Sequence, residues 1–269
     1  MESNKKIRLL ILTRHGERID KTHKRTSQKL KTDDPELTVN GRQQALKMGS
    51  IIALYVEKHF NIKLNSDITK IVTSPFSRTI QTSLNLAKSY FNYPENNIRI
   101  DNKLCELIFP SVVGDFPNKY VAIYNKNFSS DINCNEFKNN FEYFEKKSFE
   151  FENSDMINVK SLPLKYESNK DVVKRANEVI DEYIKNYFIN NSSSIEVINF
   201  VSHAGTLNII YECILKIIYK NNEEMLKKID NGFNDIEYNI QYCDSFIFKV
   251  NIDEDSSYTF ELIKKLSLF

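Results

Sequence analysis

The chain has 269 residues, of which 41% are hydrophobic and 27% charged, a composition typical of a globular protein with a substantial core. Its formal net charge of +1 argues against nucleic acid or an anionic membrane as partner, and no segment is apolar for long enough to span a bilayer. Four cysteines without Cys-x-x-Cys spacing argue against a zinc module or a disulfide framework. We find no secretory signal and expect a cytoplasmic protein.

A short strand is predicted near the start of the chain. Residues 7–13 form a compact apolar run, which is typical of a strand buried on both faces of a sheet. Arg14, His15 and Gly16 follow where this strand ends, and glycine there allows a tight backbone turn with close approach to a ligand. Because ligand sites in open α/β sheets lie at the carboxyl ends of strands, His15 is a candidate site residue.

The next segment combines a polar loop with an amphipathic helix. Residues 19–37 are polar and include several lysines, which predicts a solvent-exposed loop. Thr38 is a suitable N-cap for a helix from Val39 to about Phe60, in which apolar residues recur at helical spacing.

A second strand and helix follow. Residues 68–73 predict a short strand, which Ser74 and Pro75 end, and the apolar residues of 80–91 lie near one helical face. Arg78 belongs to the first turn of that helix, so its side chain begins near the end of the strand. The backbone N–H groups of a first helical turn lack partners within the helix and favour a nearby anion.

The pattern changes over residues 107–169, where tyrosine and phenylalanine are frequent and no clear period emerges. We interpret this segment as an aromatic-rich insertion within one domain, because no linker-like composition flanks it. Regular structure returns with the Ser-x-x-Asp capping box of Ser168 and Asp171, which opens the most regular helical stripe of the chain, as far as Tyr187.

The design of the first strand recurs far downstream. Residues 195–201 predict another buried strand, and Ser202, His203, Ala204 and Gly205 follow its end. As with the first strand, a histidine close to a glycine follows the carboxyl end of this strand. The two strand ends together predict one site built from two distant stretches of sequence.

The rest of the chain completes an alternating pattern. A helix is predicted over about 206–220, and two strands are predicted over 241–252 and 258–264, joined by a polar turn. Strands and helices alternate, which predicts an α/β fold with helices on both faces of a sheet.

Three arginines and two histidines lie at or beside these strand ends. The guanidinium groups of Arg14, Arg18 and Arg78 are suited to gripping an oxyanion through paired donors. With the imidazoles of His15 and His203, and no cluster with metal-ligand spacing, such a site suits a phosphoryl group. An imidazole whose pKa lies near neutrality can then act as the nucleophile. For any one arginine alone a surface role is the simpler interpretation, and the combination favours a site.

Four segments of the chain resemble signature segments of the histidine phosphatase superfamily, which has the phosphoglycerate mutase-like fold. They are the Arg-His-Gly of residues 14–16, residues 34–45, residues 74–82 and the Ser-His-Ala-Gly of residues 202–205. The resemblance implies a three-layer α/β/α sandwich with a mostly parallel central sheet. Residues 1–269 would form a single domain, with residues 107–169 as an inserted cap.

The resemblance also implies a covalent mechanism. His15 would attack phosphorus and become a phosphohistidine, which water then hydrolyses. Arg14, Arg78 and His203 would hold the phosphoryl oxygens. The family mechanism calls for no metal and no cofactor.

A carboxylate is needed to protonate the leaving oxygen and later to activate water. Glu106 occupies the matching place in the family, after the second helix and a short strand. Glu17 is the competing carboxylate, because it lies two positions from the nucleophile.

Two departures from the mutase pattern bear on the subgroup. Residues 17–20, Glu-Arg-Ile-Asp, are similar to the UBASH3/Sts protein tyrosine phosphatases and the related ecdysteroid-phosphate phosphatase. In that subgroup the second arginine joins the phosphate pocket, so the resemblance adds Arg18 to the phosphate-binding residues. Glu106 is not followed by the Tyr-Gly motif typical of mutases, which weakens a mutase interpretation.

The expected function is that of a metal-independent phosphomonoester hydrolase acting through phospho-His15. One alternative is phosphoryl transfer of the phosphoglycerate mutase or sugar bisphosphatase type, and another is a non-catalytic phosphate-binding scaffold of the same fold. The sequence leaves open whether the substrate is a small-molecule ester or a phosphotyrosine protein, and it leaves the oligomeric state open.

Overall fold

A computed structural model of the chain describes residues 6–22, 34–91, 98–108, 166–190, 193–230 and 240–268. The strands are β1 (Ile7–Arg14), β2 (Thr69–Thr73), β3 (Ile98–Ile100), β4 (Ile195–Ser202), β5 (Ser245–Ile252) and β6 (Tyr258–Leu266). The helices are α1 (Ile19–Thr22), α2 (Val39–Phe60), α3 (Ser77–Phe91), α4 (Asn169–Tyr183), α5 (Ala204–Ile218) and α6 (Glu223–Asp230), with a 3₁₀ turn at Asn102–Leu104 and a π-helical segment at Ile184–Ile189.

The strands form one six-stranded sheet in the order β3-β2-β4-β1-β5-β6. Strands β3, β2, β4 and β1 pair in parallel, whereas β5 and β6 extend the sheet with antiparallel pairing. This confirms the predicted α/β fold with a mostly parallel central sheet. Arg14 pairs with Ser202, and Val201 pairs with both Thr13 and Thr73, so β1, β2 and β4 end at the same level.

Helices cover both faces of the sheet, because successive side chains of a strand point to opposite sides. On one face Leu10 and Leu12 belong to a buried cluster with the apolar sides of α4 and α5. On the other face Leu9 and Ile11 belong to a cluster with α2 and α3. The predicted three layers, helix on sheet on helix, are therefore present.

Two helix starts follow the predicted capping chemistry. The side chain of Thr38 accepts a hydrogen bond from the backbone N–H of Gly41 at 2.8 Å and so begins α2. At the start of α4 the side chain of Ser168 and that of Asp171 bond each other's backbone N–H groups, which is the predicted capping box.

Three segments differ from their sequence-based predictions. The predicted loop 19–37 contains the short helix α1 and is tied by a bridge between Arg18 and Leu37. The helix predicted to reach Tyr187 changes to π-helical geometry after Tyr183. The strand predicted from residue 241 begins at Ser245, because residues 241–244 form a turn. Most of the predicted insertion, namely residues 109–165, lies outside the described residues.

Candidate active site

The level ends of β1, β2 and β4 bring the two predicted histidines together. Beyond the strands the backbone pairing continues: the N–H of His15 donates to Ser202 O at 3.0 Å, and the N–H of Ser74 donates to Val201 O at 3.0 Å. The imidazole rings of His15 and His203 lie edge to face, with centroids 5.4 Å apart. The two distant stretches of sequence therefore do form one cluster, as predicted.

A hydrogen bond from His15 shows which of its ring nitrogens carries a proton. Its Nδ1 lies 2.7 Å from the carbonyl oxygen of Gly16, and since a carbonyl only accepts, Nδ1 must carry the proton. The side chain is buried, and burial, followed by the positive charge of Arg78, lowers the pKa of His15 well below 6.5. A neutral ring with its proton on Nδ1 leaves a free electron pair on Nε2, which suits a nucleophile.

Backbone contact with α2 fixes the loop that carries His15. A Cβ atom on Gly16 would lie 2.4 Å from Gly41 O, and one on Gly41 would lie 2.3 Å from Glu17 O. The N–H of Glu17 also donates to the Gln44 side chain at 2.9 Å. The close approach observed at Gly16 is thus one between two stretches of backbone, and close approach to a ligand stays a prediction.

His203 lies between Ser74 and Arg78. Its Nδ1 is 3.0 Å from Arg78 Nη2, and its Nε2 is 2.8 Å from Ser74 Oγ, a hydroxyl that can donate or accept. The ring is completely buried at the N-terminus of α5, and burial, then the charges of Arg78 and His15, lower the pKa of His203 well below 6.5. Glu106 Oε2 lies 3.3 Å from the same Nδ1.

Arg78 links this histidine to two carboxylates. Its Nη2 is 3.5 Å from Glu106 Oε2, and its Nη1 is 3.6 Å from Asp34 Oδ1. Asp34 also caps α3, because its carboxylate accepts from the N–H of Ser77 at 3.0 Å and from the Ser77 hydroxyl at 2.5 Å. Sequence reasoning missed Asp34, since nothing in the sequence relates it to a helix that starts 43 positions later.

Arg14 is held by the turn that precedes β5. Its Nη1 donates to Ile240 O, and its guanidinium lies 4.3 Å above the ring of Tyr242. The Tyr242 ring is also 5.7 Å from that of His15. Tyr242 was not predicted to belong to the site, because its position falls inside a predicted strand.

Arg18 lies near the other cations but is paired elsewhere. Its charge lowers the pKa of both His15 and His203, after burial and Arg78. Its guanidinium donates two hydrogen bonds to the carboxylate of Asp20, at 2.8 and 2.5 Å. Arg18 therefore contributes charge to the site, while two of its five N–H donors are engaged by Asp20.

The two candidate carboxylates, Glu17 and Glu106, contact different parts of the molecule. Glu17 accepts from the Thr38 hydroxyl at 2.7 Å and from the Asn40 amide at 3.2 Å, so its side chain supports the start of α2. Glu106 instead contacts both His203 and Arg78. Of the two carboxylates, Glu106 is therefore the one that lies within the histidine cluster.

The cluster is suited to holding an oxyanion. The buried Nε–H groups of Arg14 and Arg78 have no hydrogen-bond partner among the described residues, and buried donors are ordinarily satisfied. No group of three or more His, Cys, Asp or Glu residues in the described part of the chain is arranged to hold a metal ion. None of the described helices is both long and apolar enough to cross a membrane.

Sequence comparison gives one family match. A model of the histidine phosphatase superfamily (branch 1) matches residues 10–231 of the chain. This range runs from within β1 to the end of α6 and includes every residue of the site described above except those of the 240–244 turn. No curated protein sequence matches the chain.

Several solved structures share this fold at low sequence identity. A phosphoglycerate mutase from Bacillus anthracis has a TM-score of 0.53 and 16% identity, covering 98% of this chain and 95% of its own. The ecdysone phosphate phosphatase of Bombyx mori, in complex with tungstate, has a TM-score of 0.52 and 15% identity, covering 96% and 92%. A mycobacterial glucosyl-3-phosphoglycerate phosphatase has a TM-score of 0.50 and 14% identity, covering 95% and 97%. At these identities the likeness concerns the fold.

Proposed function

The chain belongs to the histidine phosphatase superfamily, and from that premise we propose that it is a metal-independent phosphomonoesterase whose nucleophile is His15. The observation that carries the proposal is the state of this imidazole. Its pKa is lowered well below 6.5, its Nδ1 proton is held by Gly16 O, and the guanidinium groups of Arg78, Arg14 and Arg18 are near enough for their charges to act on it. Binding alone would not need a ring prepared in this way.

In the first step Nε2 of His15 attacks phosphorus while the bond from phosphorus to the leaving oxygen breaks. Glu106, protonated at this stage, gives its proton to that oxygen, so the alcohol leaves neutral. Arg14, Arg18, Arg78 and His203 bind the non-bridging oxygens and stabilise their charge. The Gly16 carbonyl, 2.7 Å from Nδ1, stabilises the positive charge that develops on the ring.

In the second step water hydrolyses the phosphohistidine. Glu106, now a carboxylate, takes a proton from water as the water oxygen bonds to phosphorus and the N–P bond breaks. The products are inorganic phosphate and the neutral His15, and Glu106 is protonated again for the next cycle.

A mutase remains the enzymatic alternative, and the fold does not decide against it, since both a mutase and phosphatases share it. The residue that favours the phosphatase is Arg18, which adds a third guanidinium near the histidines, as in the phosphatase subgroup that residues 17–20 resemble. A mutase would return the phosphoryl group from His15 to a second oxygen of the substrate. A non-catalytic scaffold would bind phosphate without forming phosphohistidine.

The test compares wild type with His15→Ala on p-nitrophenyl phosphate, with a chelator and no added metal. We expect turnover by wild type and a loss of about 1000-fold or more in His15→Ala. His59→Ala is the matched control, because His59 lies near the far end of α2 and should be dispensable. Equal activity of wild type and His15→Ala would refute the mechanism.

Two further measurements separate the alternatives. Acid quenching after labelled substrate should trap phosphohistidine in wild type and not in His15→Ala, and a scaffold would give none. Exchange between 2- and 3-phosphoglycerate that is faster than hydrolysis would instead identify a mutase.

The substrate class stays a prediction, either a small-molecule phosphate ester or a phosphotyrosine protein. The predicted cap over the leaving group, residues 107–169, falls largely outside the described residues. The cytoplasm is the compartment that we propose.

A further inference from the structure

A buried ion pair lies behind the segment that carries Glu106. Arg175, on α4, donates from Nε and Nη2 to the two carboxylate oxygens of Glu167, each at 2.8 Å. The two side chains are 10% and 5% exposed. A buried pair of this kind is weak evidence for stability, because the free energy needed to remove both charges from water offsets most of their mutual attraction. Its hydrogen bonds to other groups are therefore more informative.

Those bonds go to the backbone on both sides of Glu106. Arg175 Nη1 donates to Lys103 O at 2.7 Å and to Cys105 O at 3.1 Å. Glu167 Oε2 accepts from the N–H of Ile108 at 3.1 Å, and the N–H of Glu167 donates to Ile108 O at 3.0 Å. The pair thus holds the chain before and after the proposed acid.

The segment needs such support because it lacks regular structure. Residues 105–108 lie in neither a helix nor a strand, so no ladder of backbone bonds sets their position. From the opposite side the hydroxyls of Ser202 and Thr206 donate to Leu104 O and Cys105 O, each at 2.6 Å. The backbone around Glu106 is therefore held between α4 and the start of α5.

We propose that Arg175 and Glu167 are positioning residues, which hold the Glu106 carboxylate against Arg78 and His203 for proton transfer to the leaving oxygen. The proposal rests on the acid role of Glu106 in the proposed function. Displacement of a catalytic group by about 1 Å can cost on the order of 100-fold in rate. Lysine cannot replace Arg175, because it lacks the planar fork that serves the carboxylate and two carbonyls together.

The test uses two substrates whose hydrolysis depends to different extents on protonation of the leaving oxygen. p-Nitrophenyl phosphate has a good leaving group, whereas β-glycerophosphate releases an alkoxide unless it is protonated. Arg175→Lys should lower kcat/KM for β-glycerophosphate by about 10- to 100-fold and that for p-nitrophenyl phosphate by about 3-fold or less. Glu167→Gln should act in the same direction, and it carries the test if Arg175→Lys does not fold.

Arg8→Lys is the matched control. Arg8 is also buried, donates from Nε to Phe188 O at 2.6 Å and lies 3.9 Å from Glu196, but it is at the opposite end of β1. The Arg8→Lys variant should have a lower melting temperature than wild type and the same ratio of the two kcat/KM values. A loss of equal size for both substrates in Arg175→Lys would mean a structural role and would overturn the proposal.

A double-mutant cycle shows whether Arg175 acts through Glu106. In the Glu106→Gln background, Arg175→Lys should cause little further loss, and a loss as large as in wild type would refute the positioning role. If wild type hydrolyses neither ester, or Glu106→Gln shows no substrate-dependent loss, the proposed function itself fails. If Glu106→Gln shows that loss and Arg175→Lys does not, only the positioning role fails.

Discussion

Arg18 donates two parallel hydrogen bonds to the carboxylate of Asp20, two positions further along the chain. The pairing orients the guanidinium and also cancels part of its charge, which would otherwise act fully on a bound anion. Asp20 thereby weakens the contribution of the residue that distinguishes this chain from the mutase pattern.

Asp20→Asn should therefore tighten phosphate binding. The variant keeps one acceptor for Arg18 but removes a negative charge close to the site. We expect the inhibition constant of inorganic phosphate to fall by about 3- to 10-fold at low ionic strength, with a smaller effect in high salt. Glu261→Gln, an exposed carboxylate of β6, should leave it unchanged. An unchanged constant in Asp20→Asn would show that Arg18 does not act on the anion.

The buried histidines predict a loss of stability in mild acid. Burial lowers the pKa of His15 and His203 in the folded protein below their ordinary value of 6.5. Below pH 6.5 the unfolded chain therefore binds more protons than the folded one, so stability is full above 6.5 and falls as the pH drops. Each histidine should cost about 1 kcal/mol on going from about pH 7.5 to about pH 5.5.

Urea unfolding at the two pH values measures this loss. The double variant His15→Asn/His203→Asn should lose less stability between them than wild type. Equal losses would mean that the two rings are protonated in the folded protein. Imidazole nitrogen NMR of wild type gives an independent check, because both rings should keep the signals of the neutral form as the pH falls through 6.5.

Gly41→Ala should damage both the fold and the site. The added Cβ would lie 2.3 Å from Glu17 O and 2.8 Å from Glu17 N, which are rigid backbone atoms. Relief requires α2 to move away from the loop that carries His15. We expect a loss of about 3 kcal/mol in the free energy of unfolding and a lower kcat/KM. Lys47→Ala, an exposed position of the same helix, is the control, and comparable stability of both variants would contradict the prediction.

Two substitutions of Asp34 should distinguish the contribution of its hydrogen-bond acceptor from that of its negative charge. Asp34→Ala removes the cap from α3 and should cost about 1 to 2 kcal/mol in the free energy of unfolding. KM should rise as well, because the first turn of α3 carries Arg78. Asp34→Asn keeps an acceptor for the N–H of Ser77 and should retain most of the stability. If both variants lose equally, the capping role is wrong.

The six predicted site residues lie near one another because each is at the end of a strand, within a few positions after one, or in the first turn of a helix beside one. For His15 and His203 the local sequence was sufficient, since an apolar run followed by a polar residue marks a carboxyl end and parallel pairing aligns such ends. Glu106 lies beyond a very short strand, β3, and only the family resemblance predicts its role.

The supporting residues could not be predicted in this way. Asp34, Glu167 and Arg175 act through contacts with elements far away in sequence, and such contacts depend on how the helices pack. The pattern of residues 241–252 predicts a strand that includes Tyr242. The Asp244 side chain instead accepts from the N–H of Gln241 at 2.9 Å, which makes a turn.

The pairing of β1 with β4 also has a consequence for how activity returns after denaturation. The hydroxyl of Thr13 donates to the side chain of Asn199, 186 positions away, in the register that aligns the two histidines. Closing so large a loop costs chain entropy, which is recovered only when both strands are in place. Helices such as α2 rely on local hydrogen bonds and can form sooner. In a refolding experiment the helical signal should therefore recover before turnover, and turnover should report the arrival of β4 beside β1.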